Sequence, residues 1–280
     1  MKIIKGILKF IINTIMVVAI CILILNITGK KVFYDLLYYN LFKPVVIEET
    51  KTITKTDASN QDIAKVLENK ETEKLINDYI DITMNELSSD GTVTVDIGEN
   101  FINYIKENKE VLEKELNVQI SDEKLDEVKA SPEYQQLIQE YKKAVEDSKK
   151  NMDPKEKGAI KSYNYVVSNN FRYLLIGIIV LCIILLGLIE KSVYKWMKST
   201  SINTITSGIM VLATALLVQA IVDRTLAGRE IVFSTKPMAT ASIVTTVIGI
   251  VLLIIYIIIN KIINKKEREE NVWKKVWYSS

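Results

Sequence analysis

The residue types that could carry chemistry in this 280-residue chain are limited, because the sequence contains no histidine. Without an imidazole there is no Ser-His or Cys-His catalysis, no imidazole metal ligand and no phosphohistidine. Cys21 and Cys182 lie inside apolar stretches, so the sequence predicts no disulfide framework in an aqueous domain. Acid–base catalysis by carboxyl groups is the main chemistry that remains.

Two carboxylate pairs have a spacing that could support acid–base catalysis. Asp78 and Asp81 share one predicted helix turn, and Asp90 and Asp96 flank a strand-like segment. The acidic residues follow the spacing of a solvated helix face, and none lies in an apolar run that would raise its pKa. No acidic stretch has the spaced oxygen ligands of a calcium loop. We therefore predict no catalytic residue, no metal site and no cofactor.

Four stretches of the chain are long and apolar enough to cross a bilayer. A hydrocarbon core of ~30 Å takes about 20 apolar residues in a helix, and in lipid every backbone group must be paired internally. None has a charged residue in its middle, so we predict transmembrane helices at 10–27, 173–189, 202–222 and 241–259. The first is predicted to be an uncleaved anchor, because its apolar run is long and no small-residue cleavage site follows it.

The distribution of charge predicts how the chain is oriented. Segments 1–9, 190–201 and 260–280 together hold 12 basic and 4 acidic residues, whereas residues 28–168 hold 20 basic and 28 acidic residues. Basic residues in short segments mark the cytoplasmic side. We therefore expect a multi-pass protein of the cell membrane with both termini in the cytoplasm. An acidic domain at 28–172 and a loop at 223–240 are expected on the opposite side.

The tryptophans lie in the segments that are predicted to be cytoplasmic. Trp196, Trp273 and Trp277 are next to helix ends, where interfacial anchors belong. The tail at 260–280 is basic and amphipathic, which is typical of a helix that lies on an anionic leaflet. The tail is short, mixed in charge and has no nucleic-acid-binding motif around it, so the lipid bilayer is its expected partner and nucleic acid is not.

The domain at 28–172 shows mainly helical periodicity. Apolar residues recur at three- to four-residue spacing, and Ser131-Pro132 and Asp153-Pro154 are typical helix starts. The helix after Asp153-Pro154 could run continuously into the second membrane helix. TVTVDI alternates like a strand, and NVQI could pair with it. The predicted fold is mainly α: a four-helix transmembrane bundle, with a mostly helical extracytoplasmic domain and one small two-stranded β element inserted between the first and second membrane helices.

Small and polar residues inside the apolar segments predict how the membrane helices pack. Such residues allow close approach and hydrogen bonding between helices in lipid. One face of the third helix and one face of the fourth are predicted to pack together through Thr204, Gly208, Ala215, Gln219, Ser242, Thr245 and Gly249. The alternative is a polar translocation path with Gln219 as a substrate contact, although the buried ionisable residue typical of pumps is missing from these segments. Asn13 is expected to hydrogen-bond to a neighbouring helix.

Three functions remain open. The acidic domain favours a non-enzymatic sensing, binding or assembly/scaffold protein, with a protein partner or self-association through the membrane helices or the outer domain. The first alternative is a subunit of a transporter or channel complex, and the second is a histidine-independent membrane enzyme. The usage of Ile, Lys and Asn resembles that of membrane proteins from AT-rich Gram-positive bacteria. This compositional resemblance implies a bacterial plasma membrane and no particular activity.

Overall fold

All regular elements in the described part of the chain are helices, which confirms the mainly α prediction. A computed structural model describes residues 2–42, 70–90, 93, 97–110, 113, 119–190, 194–226 and 231–278. The predicted strand TVTVDI lies mostly outside these ranges, and its last residue, Ile97, begins a helix instead. The described half of NVQI, Gln119 and Ile120, has no regular structure. No strand occurs among the described residues, so the small β element is not seen there.

The described ranges contain nine α-helices, one of which is extended by a π-helical turn. In chain order they are α1 (Lys2–Leu37, followed by the π-helical turn Tyr38–Phe42), α2 (Lys70–Ser88), α3 (Ile97–Glu107), α4 (Asp122–Ala130), α5 (Pro132–Asn151), α6 (Pro154–Val166), α7 (Asn169–Glu190), α8 (Lys195–Thr225) and α9 (Lys236–Tyr278).

Four of these helices, α1, α7, α8 and α9, are long and apolar enough to cross a membrane. Each contains one predicted membrane segment and extends beyond it, because polar flanks continue a helix as readily as apolar residues do. Thus α8 begins at Lys195, ahead of the predicted start at 202, and α9 continues through the predicted tail to Tyr278. The prediction of four helices with membrane-spanning length and composition is confirmed.

The chain divides into two compact units, and the boundaries fall within α1 and between α6 and α7. Residues 1–33 and 167–280 form one unit, which contains α7, α8, α9 and most of α1 and is called the membrane unit below. Residues Tyr34–Val166 form the second, which contains α2 to α6 and is called the insert unit.

The core of the membrane unit is a stripe on α1 that packs against α7 and α8. Ile12, Met16, Ile20 and Ile24 recur every four residues on α1, so they share one helix face. They are buried together with Cys182 and Leu186 of α7 and Val211 of α8. In contrast, α9 exposes a long series of Ile and Val side chains, a surface that is suited to contact with lipid tails.

Polar contacts lie at both ends of the α1–α7 pair. At one end Lys9 forms an ion pair with Glu190. At the other, Arg172 Nε donates a 2.9 Å hydrogen bond to the fully buried side chain of Asn26. Lys9 and Asn26 are about 26 Å apart along α1 at 1.5 Å per residue. The apolar segment between the two contacts therefore has nearly the length of a bilayer hydrocarbon core, ~30 Å.

The expected continuous helix from residue 154 into the second membrane helix is wrong. Helix α6 ends at Val166, and α7 begins only at Asn169, after a turn. Ser168 explains the break: its hydroxyl oxygen accepts a 3.2 Å hydrogen bond from the backbone N–H of Phe171, and its carbonyl accepts one from Asn26 Nδ2. A Ser side chain that caps the following helix in this way favours a non-helical conformation at the cap position.

The insert unit is organised around α2, which contacts α3, α5 and α6. The Asn164 amide on α6 donates hydrogen bonds to the carbonyl of Met84 and the hydroxyl of Ser88, so it holds the C-terminal end of α2. Glu86 and Lys149 form a buried ion pair at 4.0 Å, and Lys149 also donates to Ser89 Oγ. Residues that are far apart in sequence therefore fix the position of α2 against α5 and α6.

Candidate functional site

Helix α5 forms one side of the candidate site in the insert unit, and a serine cap and a proline define where this helix begins. Ser131 accepts a 3.2 Å hydrogen bond from the backbone N–H of Tyr134, and Pro132 occupies the first turn of α5. These two residues fix where α5 begins, as the sequence predicted. Because α-helical neighbours recur every three to four residues, Tyr134, Leu137 and Tyr141 then lie on one face of α5.

This face of α5 borders an open apolar groove, which we call the tyrosine groove. The groove has a volume of about 490 Å³. Leu137 lies in it with 63% of its surface exposed, although it is a large apolar residue. The Tyr79 ring meets the Phe101 ring edge-on, with 6.4 Å between ring centroids. The lining residues are Tyr79, Phe101, Tyr134, Leu137, Ile138, Glu140, Tyr141 and Ala144.

Two of the groove tyrosines are held by hydrogen bonds to neighbouring helices. Tyr134 donates to the carbonyl of Gly98 at 2.5 Å, and Tyr141 shares a 2.8 Å hydrogen bond with the hydroxyl of Thr83. Glycine at position 98 permits the close approach of α3 and α5, since a Cβ there would lie 2.7 Å from Ile138 Cδ1. The groove wall is therefore positioned by specific contacts, and the rings do not need to reorganise to keep it open.

A second cavity of the insert unit adjoins the groove and is acidic, and we call it the acidic cavity. Its volume is about 480 Å³. It contains the first carboxylate pair that the sequence suggested, Asp78 with Asp81, and adds Glu107 from α3. Tyr34 donates a hydrogen bond to Asp81. The lining residues are Leu75, Asp78, Tyr79, Asp81, Ile82, Asn100, Asn103, Tyr104 and Glu107.

The structure describes one member of the second suggested carboxylate pair, Asp90. Asp90 contacts Lys157 and Lys161, which are one turn apart on α6. Hydrogen bonds from these two lysines hold the pKa of the Asp90 carboxyl below its usual range. Asp96 lies outside the described residues. The contact of Asp90 with two cations indicates a surface ion pair between the end of α2 and α6, which is a structural role.

The electrostatics of the groove favour neutral phenols. Burial is the main cause that raises the pKa of Tyr79, and the neighbouring Tyr134 and Tyr141 add to it. Burial also raises the pKa of Tyr141. These groups are therefore uncharged donors and aromatic surfaces at neutral pH, and the acidic cavity supplies the negative charge. Among the residues that the structure describes, no three His, Cys, Asp or Glu side chains are arranged to hold a metal ion.

In the membrane unit, glycines of both predicted stripes lie where α8 and α9 meet. A Cβ at Gly208 would lie 2.2 Å from Thr246 Oγ1 and 2.8 Å from the Ser242 carbonyl. A Cβ at Gly249 would lie 2.8 Å from the backbone nitrogen of Ile205. The two helices therefore touch through their backbones at these positions, as small residues allow in lipid.

The other residues of the predicted stripes have different surroundings. Ala215 and Ser242 are fully buried, and Thr204 is nearly so. Thr245 is only half-buried, and its hydroxyl donates to the carbonyl of Ala241 in its own helix. It is Thr246, the next residue, that faces Gly208.

Gln219 holds the connection between α8 and α9. Its side-chain nitrogen donates to the carbonyl of Phe233 at 3.0 Å and to Asp223, and its oxygen accepts from the backbone N–H of Thr235 at 2.8 Å. The amide is thus used at both ends to fix the loop that precedes α9. This contact was not predicted, because nothing in the sequence indicates how residues 231–235 fold back on α8.

A second polar stripe on α8 was not predicted from the sequence. Asn203 donates a 2.9 Å hydrogen bond to Asn13, and the Ser207 hydroxyl lies 3.2 Å from the Val17 carbonyl oxygen. The contact expected for Asn13 is therefore present. Asn203 and Ser207 are four residues apart, so a search for a second face with this spacing would have found them.

The predicted interfacial tryptophans are only partly described. Trp196 is half-buried at the start of α8, where it packs against the core stripe, and its Cδ1 lies 3.8 Å from the position of a Cβ at Gly187. The structure thus places this ring between helices. The side chains of Trp273 and Trp277 lie outside the described part of α9.

Comparison with known proteins supplies no relative for this arrangement. No family model, no curated protein and no solved structure matches the chain. In the described part of the chain, the pair of cavities in the insert unit resembles a ligand site, because binding sites are mainly apolar concavities with a few polar groups.

Proposed function

We propose that this chain is a multi-pass plasma-membrane protein of the sensing and binding class, which acts through its insert unit on the extracytoplasmic side. The tyrosine groove carries the proposal. An open apolar groove with an exposed leucine, Leu137, is an arrangement that water disfavours and that a bound ligand or partner would cover.

The proposed orientation rests on charge. The segments outside the insert that flank the membrane helices are strongly basic, whereas residues 28–168 carry an excess of eight acidic residues over basic ones, with 28 against 20. Short basic segments stay in the cytoplasm, so the termini are assigned there and the insert is assigned to the outside.

The binding function can be tested by native mass spectrometry of the full-length protein isolated from its own membranes. Leu137→Ser removes an apolar side chain from the groove, and Gln139→Ser, on an exposed part of the same helix, is the matched control. We expect a copurifying small molecule or protein that is present with the wild type and the control and is lost from Leu137→Ser. The same bound species in all three would contradict a binding function of the groove.

The two alternative functions, a transporter or channel subunit and a membrane enzyme, have less support than binding. A transport role would need a polar path, whereas Asn13 is bonded to Asn203, and the Gln219 amide is bonded to Asp223 and to the backbone ahead of α9. An acid–base enzyme would use the acidic cavity, where Asp81 already accepts a hydrogen bond from Tyr34. We therefore rank both functions below binding.

A further inference from the structure

Two tyrosines of the membrane unit meet at the end of the unit where α8 begins. Tyr194, the residue before α8, stacks on Tyr256 of α9, with 6.2 Å between ring centroids and 29° between ring planes. Both side chains are half-buried, and neither hydroxyl has a hydrogen-bond partner among the described residues. Tyrosines favour the boundary between hydrocarbon and water, because one end of the ring is apolar and the other is polar. The two hydroxyls are therefore available as donors to a group from outside the chain.

The face of α8 that begins at Tyr194 carries a lysine beside the tyrosine pair. Lys198 lies one turn after Tyr194, and Ser201 and Ile205 continue the same face at three- to four-residue spacing. This face contacts α9, because a Cβ at Gly249 would lie 3.1 Å from the Ser201 carbonyl oxygen and 2.8 Å from the Ile205 backbone nitrogen. Lys198 itself is exposed, so its ammonium group lies at the open edge of the α8–α9 contact.

The positive charge at this end of the unit is not balanced by described carboxylates. Lys195, Lys198 and Lys261 are exposed and form no ion pair with a described residue. Glu190, at the end of α7, is already paired with Lys9. The first turn of α8 contains no acidic residue, and its N-cap residue makes no capping side-chain hydrogen bond. The positive end of the helix dipole thus adds to the charge of the lysines, and the arrangement is complementary to an anion.

Exposed apolar side chains next to the lysine favour a lipid over a soluble anion. Ile202, one turn after Lys198 on α8, is 46% exposed. On α9, Val251 and Ile255 lie one turn apart and are 48% and 40% exposed. Both helices are long and apolar enough to span a membrane, so a surface for hydrocarbon chains adjoins the basic end. A phosphate that is attached to acyl chains can contact both surfaces, whereas a soluble phosphate can contact only the polar one.

We propose that Tyr194, Lys198 and Tyr256 form a binding site for the phosphate of an anionic phospholipid, whose acyl chains lie along the exposed apolar side chains of α8 and α9. The Lys198 ammonium group supplies the charge, and the two phenols donate hydrogen bonds to phosphate oxygens. Hydrogen bonds to an ionised acceptor are stronger than those between neutral groups. The inference concerns the membrane unit and does not depend on binding by the tyrosine groove.

Native mass spectrometry of the full chain in a neutral detergent tests the proposal. The probes are dioleoyl phosphatidylglycerol and dioleoyl phosphatidylcholine, which have the same acyl chains and differ in the charge of the headgroup. We expect the first phosphatidylglycerol to bind at least about fivefold more tightly than the first phosphatidylcholine, the gain that one lysine contributes near anionic lipid. Equal binding of the two lipids would overturn the proposal.

Charge variants test the role of the lysine. Lys198→Gln should weaken binding of phosphatidylglycerol about fivefold, and Lys198→Arg, which keeps the charge, should retain most of the binding. Lys5→Gln is the matched control, since the exposed Lys5 of α1 carries the same charge and lies outside the proposed site. Equal losses from Lys198→Gln and Lys5→Gln would show an effect of overall charge and overturn the site.

A phenol variant tests the two hydroxyls. Tyr194→Phe combined with Tyr256→Phe removes both donors and keeps both rings. We expect this double variant to weaken binding of phosphatidylglycerol about tenfold, because a hydrogen bond to a charged group contributes more than one between neutral groups. Unchanged binding would overturn the assignment of the phenols to the site.

A competition experiment distinguishes a lipid from a soluble source of the phosphate. Glycerol 3-phosphate supplies the same group without acyl chains. We expect it to leave phosphatidylglycerol bound at equal concentration, because it cannot use the apolar surface of α8 and α9. Displacement of the lipid under these conditions would overturn the lipid assignment and leave a site for a soluble anion.

Discussion

The side-chain amide of Asn203 in α8 donates a 2.9 Å hydrogen bond to the side-chain oxygen of Asn13 in α1. The same Asn203 nitrogen lies 3.4 Å from Met16 Sδ, in the buried stripe of α1. Lipid tails are as apolar as Leu, so apolar side chains alone do not favour contact with another helix over contact with lipid. The Asn pair therefore gives the α1–α8 contact a direction and a register that the apolar residues around it do not specify.

Replacement of either partner in this pair should destabilise the helix bundle. We expect Asn13→Leu and Asn203→Leu to be non-additive, with a coupling free energy of about 0.6–1.7 kcal/mol, the range for hydrogen bonds between membrane helices. Steric-trapping measurements of unfolding would provide the values. Thr214→Val is a matched control, since the exposed Thr214 hydroxyl only donates to its own helix at the Met210 carbonyl. Additive effects would contradict a direct interaction.

A methyl group at the α8–α9 contact should force the two helices apart. A Cβ at Gly208 would lie 2.8 Å from the backbone carbonyl of Ser242, which cannot rotate away as a side chain would. We expect Gly208→Ala to destabilise the membrane unit by about 1–3 kcal/mol. Gly177→Ala in α7 is the control, because its Cβ would meet nothing within 4 Å. Its effect should be neutral or stabilising, as Ala favours helix by up to about 1 kcal/mol over Gly. If Gly208→Ala and Gly177→Ala changed the free energy of unfolding equally, the close packing of α8 and α9 at Gly208 would be contradicted.

Alkaline pH should destabilise the insert unit through its buried tyrosines. Burial raises the pKa of Tyr79 in the folded chain above the ordinary value of about 10 that it regains on unfolding. Its neutral form is therefore favoured by folding, and this stability is present in full below pH ~10 and is lost as the pH rises from there towards the folded-state pKa. Thermal unfolding between about pH 8 and about pH 11 should show a smaller loss of stability at alkaline pH for Tyr79→Phe than for the wild type.

The comparison for this prediction is made within each protein, relative to its own stability near neutral pH, because Tyr79→Phe also removes a hydroxyl group. Absorbance of the phenolate offers a second measurement. The wild type should ionise one more tyrosine on unfolding at alkaline pH than Tyr79→Phe does. Identical alkaline losses in the two proteins would show that Tyr79 is not the group responsible.

The proposed orientation predicts which positions an impermeant reagent reaches in intact cells. In a variant without the native Cys21 and Cys182, a cysteine at Lys143 in the insert unit should react with a maleimide that does not cross membranes. A cysteine at Ser280 should react only after the cells are permeabilised. Labelling of position 280 and protection of position 143 would reverse the topology and remove the basis for an extracytoplasmic binding domain.

Local sequence features predicted the elements well. The four apolar runs predicted the four long helices, and Ser131-Pro132 predicted the start of α5 because caps and proline act over a few residues. The same local logic failed at Ser168, where a cap in the middle of a helical pattern breaks α6 from α7. In that case hydrogen bonds from Asn26 and Phe171 to one serine outweigh the continuity of the pattern.

The candidate site was predicted only in part. The pair Asp78 and Asp81 was recognised as carboxylates one turn apart, but their place in a cavity depends on α3, which supplies Glu107. The three- to four-residue spacing of apolar residues predicted helix faces in this domain, and the groove beside α5 was not predicted. A helical stripe looks the same in sequence whether a neighbouring helix covers it fully or leaves it half open, as at Leu137.

The sequence by itself determined the number of helices long and apolar enough to span a membrane, the helical class and the separation of acidic from basic regions, because these depend on segment length, local capping and composition. Only the tertiary structure decided that Asn203 meets Asn13, that Gly208 lies against Ser242 and that Tyr79 separates two cavities. Such pairings depend on the rotation and approach of helices that are distant in sequence. A rotation of one residue, about 100°, is enough to replace Thr245 by Thr246 at a contact.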